Sequence, residues 1–316
     1  IPIPEGIIES GEIKNEDAFV ARCAAWVKRE RKKLPSRHIA ASLPEEKAFI
    51  RIIQLPKVKR DAIGDAVQWE IEANIPLSKE EIFYDYEIIE PIENSLDHFD
   101  VMITAFPKVI VESYARALVR SGCIPAILEL ESQAIVRSVA PELRDRKALI
   151  IVDIGRIRTS LIVFVGGAII FTSTFMLGGR DFEKNIMKEL DTDEEKARAI
   201  KISYGLDKKE FGGELFASLA PAISAMSDEI KRAVEFYKEH AKHRHGAAEE
   251  ISEVLLVGGD ANLLGLTSYL SSTLMIPVKT ADVFVRFAKS GVRFIPPLTK
   301  NQSLEYATAI GLALQK

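Results

Sequence analysis

Cysteine is almost absent from this chain: Cys23 and Cys123 are the only two in 316 residues. They fall far apart, in helix-like and turn-like settings, so free thiols in a reducing compartment are expected rather than a disulfide. Long apolar runs are missing too. Nothing approaches the roughly 20 residues that span a bilayer, and no secretory pattern opens the chain. The expected location is therefore cytoplasmic, with membrane contact arising through partners. Positive charge is not in excess, since 42 Lys and Arg stand against 46 Asp and Glu. A net charge of -4 and a pI near 5.9 give no broad basic surface for nucleic acid. Histidine is scarce, and His240, His243 and His245 invite a metal reading; no carboxylate or Cys pairs with them in an obvious way, so a solvated helix end is expected instead. Tandem repeats and low-complexity segments are also lacking. What remains is a chain with 47% hydrophobic residues, long enough to form two domains.

The most informative stretch is Leu149-Ile150-Ile151-Val152-Asp153-Ile154-Gly155-Arg156-Ile157-Arg158-Thr159-Ser160-Leu161-Ile162-Val163-Phe164. It reads as an apolar strand ending in Asp-x-Gly, a tight turn, and a second strand opening on Thr159. Gly155 permits the backbone angles of a short turn, turn amides can face an anion, and Asp153 is placed to hold a water or hydrated Mg2+. Asp-x-Gly between strands is also ordinary hairpin chemistry. Two more glycine pairs sharpen the reading. Phe175-Met176-Leu177-Gly178-Gly179-Arg180-Asp181-Phe182 passes from strand through Gly-Gly into helix, and Glu253-Val254-Leu255-Leu256-Val257-Gly258-Gly259-Asp260-Ala261-Asn262 repeats the pattern. A glycine pair lets a flat ligand lie against bare backbone.

This order of motifs resembles the second half of the actin-like ATPase fold shared by actin, the heat-shock chaperone ATPases, sugar kinases and the cell-division protein FtsA. Further segments narrow the resemblance to the PilM family of type IV pilus assembly: Ile8-Glu9-Ser10-Gly11-Glu12-Ile13; Leu55-Pro56 with Ala66-Val67-Gln68-Trp69-Glu70-Ile71-Glu72-Ala73-Asn74-Ile75-Pro76-Leu77; Phe83-Tyr84-Asp85-Tyr86; Asp153-Ile154-Gly155 with Thr159-Ser160; Glu229-Ile230-Lys231-Arg232 with Phe236-Tyr237; and Ala307-Thr308-Ala309-Ile310-Gly311-Leu312-Ala313-Leu314. They run from end to end, and the Trp-Glu-x-Glu-x-x-Ile-Pro helix end is the most specific. The resemblance implies an α/β, two-lobed actin-like ATPase fold, related to ribonuclease H, with a small α+β subdomain inserted in the first lobe. It also implies a first-lobe hairpin, with an Asp-Ile-Gly-like motif, that would precede Ile1 and is missing here.

Periodicity supplies the elements. Asn15 is placed to cap a helix whose Phe19, Cys23, Trp26 and Val27 share one face, and 29–33 end it with positive charge. Strands are expected over 37–43 and 49–55. Ile63, Val67 and Ile71 mark a helix over 61–75 that Pro76 stops, and strands over 82–89 and 99–106 follow. That block, about 36–106, resembles the inserted subdomain of the first lobe, 1–146. A helix, a strand over 124–130 and a helix from Ser132 lead to the second lobe, 147–316. It should hold a meander of 148–154, 159–165 and 168–175, a helix over 181–190, and a helical insertion over about 193–250 in which Ile223, Met226, Ile230, Ala233 and Tyr237 form a buried stripe.

By motif match, the resemblance implies ATP held by Asp153, Gly155, Thr159, Gly178, Gly179, Glu229, Arg232, Gly258, Gly259 and Asn262, with Mg2+ at Asp153. Glu229 and Arg232 would border the adenine; as plain residues they suit an amphipathic surface equally. Catalytic candidates are Asp153 and Glu131, and Glu131 also reads as a helix-start carboxylate favoured by the dipole. Arg156, Ile157 and Arg158 depart from the small residues usual in this family. The arginines would either add phosphate contacts or close the loop by bulk. The function implied is an ATP-binding adaptor of the inner-membrane pilus platform, at most a slow ATPase, peripheral to the membrane through the cytoplasmic N-terminal peptide of a PilN-like protein, with self-association an open question. The alternatives are an ATPase or small-molecule kinase using the same cleft, and an FtsA-like filament protein. The Ala-rich end over 304–316, unlike FtsA's amphipathic membrane helix, counts against the last.

Overall fold

The computed structural model describes residues 3–33, 36–56, 63–89, 98–140, 148–241, 250–285 and 295–315. The chain divides into two compact units, residues 1–134 with 312–316 and residues 135–311. His240, His243 and His245 fall outside what is described, His240 by its side chain only.

The first unit opens on a hairpin, β1 (Ile8–Glu9) and β2 (Glu12–Ile13), closed by Ser10 and Gly11 at φ of 45° and 74°. Both turn residues are left-handed, as a two-residue hairpin turn requires. Helix α1 (Glu16–Glu30) follows, and Asn15 caps it by accepting from Ala18 N at 3.0 Å. Its one wholly inward residue is Phe19, which packs with Ile7, Ala117, Leu118 and Cys123, with Cys23 at the margin. Both cysteines are free thiols, and burial pushes each above its ordinary pKa, so neither is a reactive thiolate.

The next strands sort into two sheets. β3 (His38–Leu43) runs parallel to β7 (Ile124–Leu130). β4 (Phe49–Pro56), β5 (Ile82–Ile89) and β6 (His98–Pro107) form their own antiparallel sheet in the order β4-β6-β5. β3 thus pairs outside the sheet of the block with which it is contiguous in sequence. Helix α2 (Ile63–Asn74) covers one face of the three-stranded sheet through Ile63, Val67 and Ile71, which meet Ile53, Leu55, Val101, Ile103 and Ala105. Helix α3 (Lys108–Arg120) leads into β7, and α4 (Glu131–Val139) begins directly after it. The buried Glu45 carboxylate caps α4 from a distant segment, accepting from Ser132 N at 3.1 Å and Ser132 Oγ at 3.0 Å.

The second unit is built on β8 (Ala148–Ile154), β9 (Thr159–Val165), β10 (Ala168–Phe175), β11 (Ile251–Val257) and β12 (Val278–Thr280), in the order β10-β9-β8-β11-β12. The first three form the expected meander, with Gly166 and Gly167 turning it at φ of 58° and 97°. β11 returns parallel to β8. Ile150, Ile151 and Val152 are consecutive and wholly buried, so β8 is covered on both faces and reads as a continuous apolar run. Between β10 and β11 come α5 (Gly179–Leu190), α6 (Glu194–Tyr204) and α7 (Glu214–Ala241), and the stripe Ile223, Met226, Ile230, Ala233 and Tyr237 is buried as its spacing predicts.

Ion pairs on the first unit's surface make a pH-dependent contribution to its stability. The guanidinium of Arg116, then that of Arg120, holds the Glu16 carboxyl down to about 2, with Arg116 Nη2 at 2.9 Å and Arg120 Nη1 at 2.6 Å. A carboxylate depressed by folding stabilises fully above its unfolded pKa, near 4.5, and that contribution is lost as pH falls through about 2. The Glu16→Gln protein should therefore lose less of the first unit's stability than the unsubstituted chain between pH 5 and pH 2, as read from urea midpoints. Parallel pH profiles for the two proteins would contradict this.

Candidate functional site

The Asp-x-Gly hairpin and the start of α5 are stitched together by backbone. Gly155 N donates to Arg158 O at 2.9 Å across the turn, and Gly179 N and Arg180 N donate to Gly155 O and Arg156 O at 3.0 and 2.8 Å. Gly155 is outside the left-handed region; its value is space, since a Cβ there would stand 3.0 Å from Arg158 O. Gly178 is tighter still: a Cβ would meet Gly155 O at 2.5 Å and Arg156 C at 2.7 Å. The first amides of α5 are thus satisfied by the hairpin's own carbonyls and by Asp181, whose carboxylate accepts from Gly178 N at 3.1 Å. Thr159 is wholly buried, and its hydroxyl donates to Leu177 O at 2.7 Å.

Below this junction lies a group of charges that motif reading missed. Glu183 on α5 is 1% exposed and Lys201 on α6 is 7% exposed, and they pair at 2.8 Å. Lys201 Nζ also donates to Asp260 Oδ1 at 2.5 Å and to Gly179 O at 3.4 Å. The second oxygen of Glu183 faces Arg156 Nη1 at 3.1 Å, and Arg156 Nη2 reaches Glu194 at 2.7 Å. One network therefore joins the hairpin turn, the first half of α5, the last turn of α6 and the loop after β11. The sequence does hold a signal for it. Lys201 falls four residues after the buried Ala197, on the inward face of α6, and Glu183 sits between the buried Phe182 and Ile186.

The two glycines after β11 differ. Gly258 has φ of 89°, its N–H donates to Leu304 O at 3.0 Å, and a Cβ would strike Ile154 O at 2.4 Å and Asp153 Oδ1 at 2.5 Å. Only glycine suits such a place. Gly259 is unstrained, and a Cβ there would meet nothing nearer than Glu305 Cβ at 3.8 Å. Asp153 stands partly exposed at the end of β8, directly against the Gly258 loop. The Asn262 amide donates to Asn301 O at 2.8 Å. Glu229 and Arg232 pair with each other one turn apart on α7, with Arg232 Nε 3.2 Å from Glu229 Oε2 and the guanidinium pKa raised by that contact. The structure thus brings Asp153, Gly155, Thr159, Gly178, Gly179, Gly258 and Gly259 to one end of the strands of the second unit's sheet. Glu131 belongs to the first unit, where it is the first residue of α4.

Removing a partner from a buried ion pair strands the remaining charge, at a cost of about 3–5 kcal/mol. Lys201→Met keeps an unbranched side chain one atom shorter and leaves Glu183 and Asp260 without their shared cation. Chemical unfolding of the second unit should register a loss in that range; a loss below about 1 kcal/mol would mean that Arg156 alone neutralises Glu183.

A family profile described as type IV pilus assembly protein PilM matches residues 1–316. The cell division protein FtsA of Neisseria meningitidis serogroup B (strain ATCC BAA-335 / MC58) is 27% identical over 214 residues, and the chain spans only 50% of that relative's length. Among solved structures, a PilM-PilN type IV pilus biogenesis complex matches 99% of this chain and 89% of its own at a TM-score of 0.79 and 24% identity. MreB5 of Spiroplasma citri bound to ADP matches 97% of this chain and 77% of its own at a TM-score of 0.59 and 13% identity. The fold is the mixed α/β, actin-like one expected from the sequence. With a profile match that leaves no residue of the chain uncovered, this protein belongs to the type IV pilus assembly protein PilM family.

Proposed function

We propose that this protein is a nucleotide-binding adaptor of type IV pilus assembly that joins the membrane platform by capturing the cytoplasmic N-terminal peptide of a PilN-like protein. The observation that carries the reading is the PilM profile match along the whole chain, supported by the likeness to a PilM-PilN complex. No described helix is long and apolar enough to cross a membrane. Attachment through such a partner would supply the contact, with the protein otherwise cytoplasmic.

The peptide is assigned to the first unit. Among the described residues β5 pairs only with β6, which leaves its outer edge open to an extended segment. Around that subdomain Trp69 is 74% exposed and Phe83 47%, large apolar surfaces that its own core does not use. Burying one such ring contributes about 1.5–3 kcal/mol before the cost of ordering the peptide. Trp69→Ala and Phe83→Ala should leave folding intact, since neither ring is buried, while together weakening a fluorescent PilN-like peptide about tenfold or more in anisotropy titrations. Unchanged affinity in the double variant would place the peptide elsewhere.

The nucleotide reading is ATP with Mg2+ on the second unit, with Gly259 and Asn262 beside the nucleoside, Glu229 and Arg232 bordering the base, and the hairpin with Gly155, Thr159, Gly178, Gly179 and Gly258 toward the phosphates. MreB5 bound to ADP supports it through the shared fold. The residues fit best at Gly259, where bare backbone is open. Among the described residues no group of three or more His, Cys, Asp or Glu could hold a metal by itself. Mg2+ would rest on Asp153 with waters and phosphate oxygens, its usual manner of binding. Any turnover on the second unit would fall to Asp153. Gly259→Val separates fold from ligand: a Cβ at this position meets only ordinary contact in the protein, so thermal stability should hold while ATP binding is lost. Retained affinity would move the nucleotide away from this loop.

A further inference from the structure

The carboxylate of Asp260 lies flat on the backbone of Gly179. A Cβ built on Gly179 would fall 1.9 Å from Asp260 Oδ2, 2.1 Å from Cγ and 2.3 Å from Oδ1, so the whole group fills the space that glycine leaves bare. It is fastened there. Lys201 Nζ binds Asp260 Oδ1 at 2.5 Å and reaches Gly179 O at 3.4 Å, and is itself backed by the buried Glu183 at 2.8 Å. The loop that carries Asp260 is anchored too, since Gly258 N donates to Leu304 O at 3.0 Å and Leu263 N to Asp260 O at 3.2 Å. Gly179 is therefore open to a ligand only if Asp260 leaves, whereas Gly259, one residue before Asp260, is open already.

We propose that Asp260 sets the nucleotide affinity of this site by occupying the bare backbone of Gly179 as a built-in competitor. The inference rests on the nucleotide reading above. A ligand that reaches Gly179 must first break the Lys201–Asp260 contact and return the carboxylate to water, so its apparent affinity is reduced by the fraction of molecules in which that has happened. Once Asp260 has left, Lys201 keeps Glu183 as its partner and turns its remaining donors toward the incoming anionic ligand. The occupant is negatively charged, as is the ligand, so the two also repel while both are near. Asp260 thereby separates having the glycine elements of a nucleotide site from binding nucleotide tightly.

The test is isothermal titration of Mg-ADP and Mg-ATP into the full chain and into Asp260→Ala, with Asp260→Asn as a second variant that keeps the shape and loses the charge. Asp260→Ala is expected to bind at least tenfold tighter than the unsubstituted chain, and Asp260→Asn to fall between them. Thermal melts establish that each variant is folded, and should Asp260→Ala fail to fold, the Asp260→Asn comparison decides alone. Equal or weaker binding by the folded variants, with measurable binding by the unsubstituted chain, overturns the competitor and leaves the nucleotide reading standing. Absence of binding by every protein at millimolar nucleotide overturns both.

Discussion

A single ammonium group, that of Lys201, ties together the charges around the glycine-rich strand ends of the second unit. Three of its glycines are approached so closely that a Cβ would collide: Gly178 by the hairpin carbonyls, Gly179 by Asp260, and Gly258 by Ile154 O and Asp153. All three contacts bring oxygen atoms onto backbone, and oxygens crowded in a buried place repel unless donors or cations intervene. The amides of Gly179 and Arg180 answer the hairpin carbonyls, and Lys201 answers Asp260, Glu183 and Gly179 O together. That cation holds the Asp260 carboxylate of the loop after β11 against the start of α5. With it, glycine at Gly179 becomes a requirement of protein packing as well as of ligand approach.

Much of the architecture was legible in the sequence, for identifiable reasons. β8, β9 and β10 were delimited by glycine-bearing turns, and β8 and β9 also by burial on both faces, so those two apolar runs have sharp ends. The cap at Asn15 and the buried stripe of α7 follow from side-chain chemistry and helical spacing. The partner of β3 was harder to read. A strand's alternation declares that it is a strand, but its pairing with β7 is parallel and spans the whole β4-to-α3 segment, and nothing local in either strand records it.

At the site, the sequence locates the glycine elements, and the structure adds what the protein itself puts against their bare backbone, which a motif cannot show. Gly258 and Gly259 are adjacent and look alike in sequence, yet one is held by φ and by collision while the other is free of both. Lys201 and Glu183 escaped notice because charged residues on helices are ordinarily solvated, and only their register against Ala197, Phe182 and Ile186 betrays an inward position.

The hairpin's arginines bear on what such a site can do. Read from sequence alone, Arg156 could serve phosphate or merely fill the turn. In the structure its guanidinium is divided between Glu183 and Glu194, so two carboxylates have met its charge before any ligand arrives. The Thr159 hydroxyl is committed to Leu177 O, and the first amides of α5 to the hairpin carbonyls. Rate enhancement in phosphoryl transfer depends on donors already aimed at the charge that develops on the transferring group, and these donors of the second unit are aimed at the protein. Groups so engaged stabilise the fold in the absence of ligand and must be prised loose to act on one. On the reading proposed above, a nucleotide gains these donors only by displacing the protein partners that hold them now.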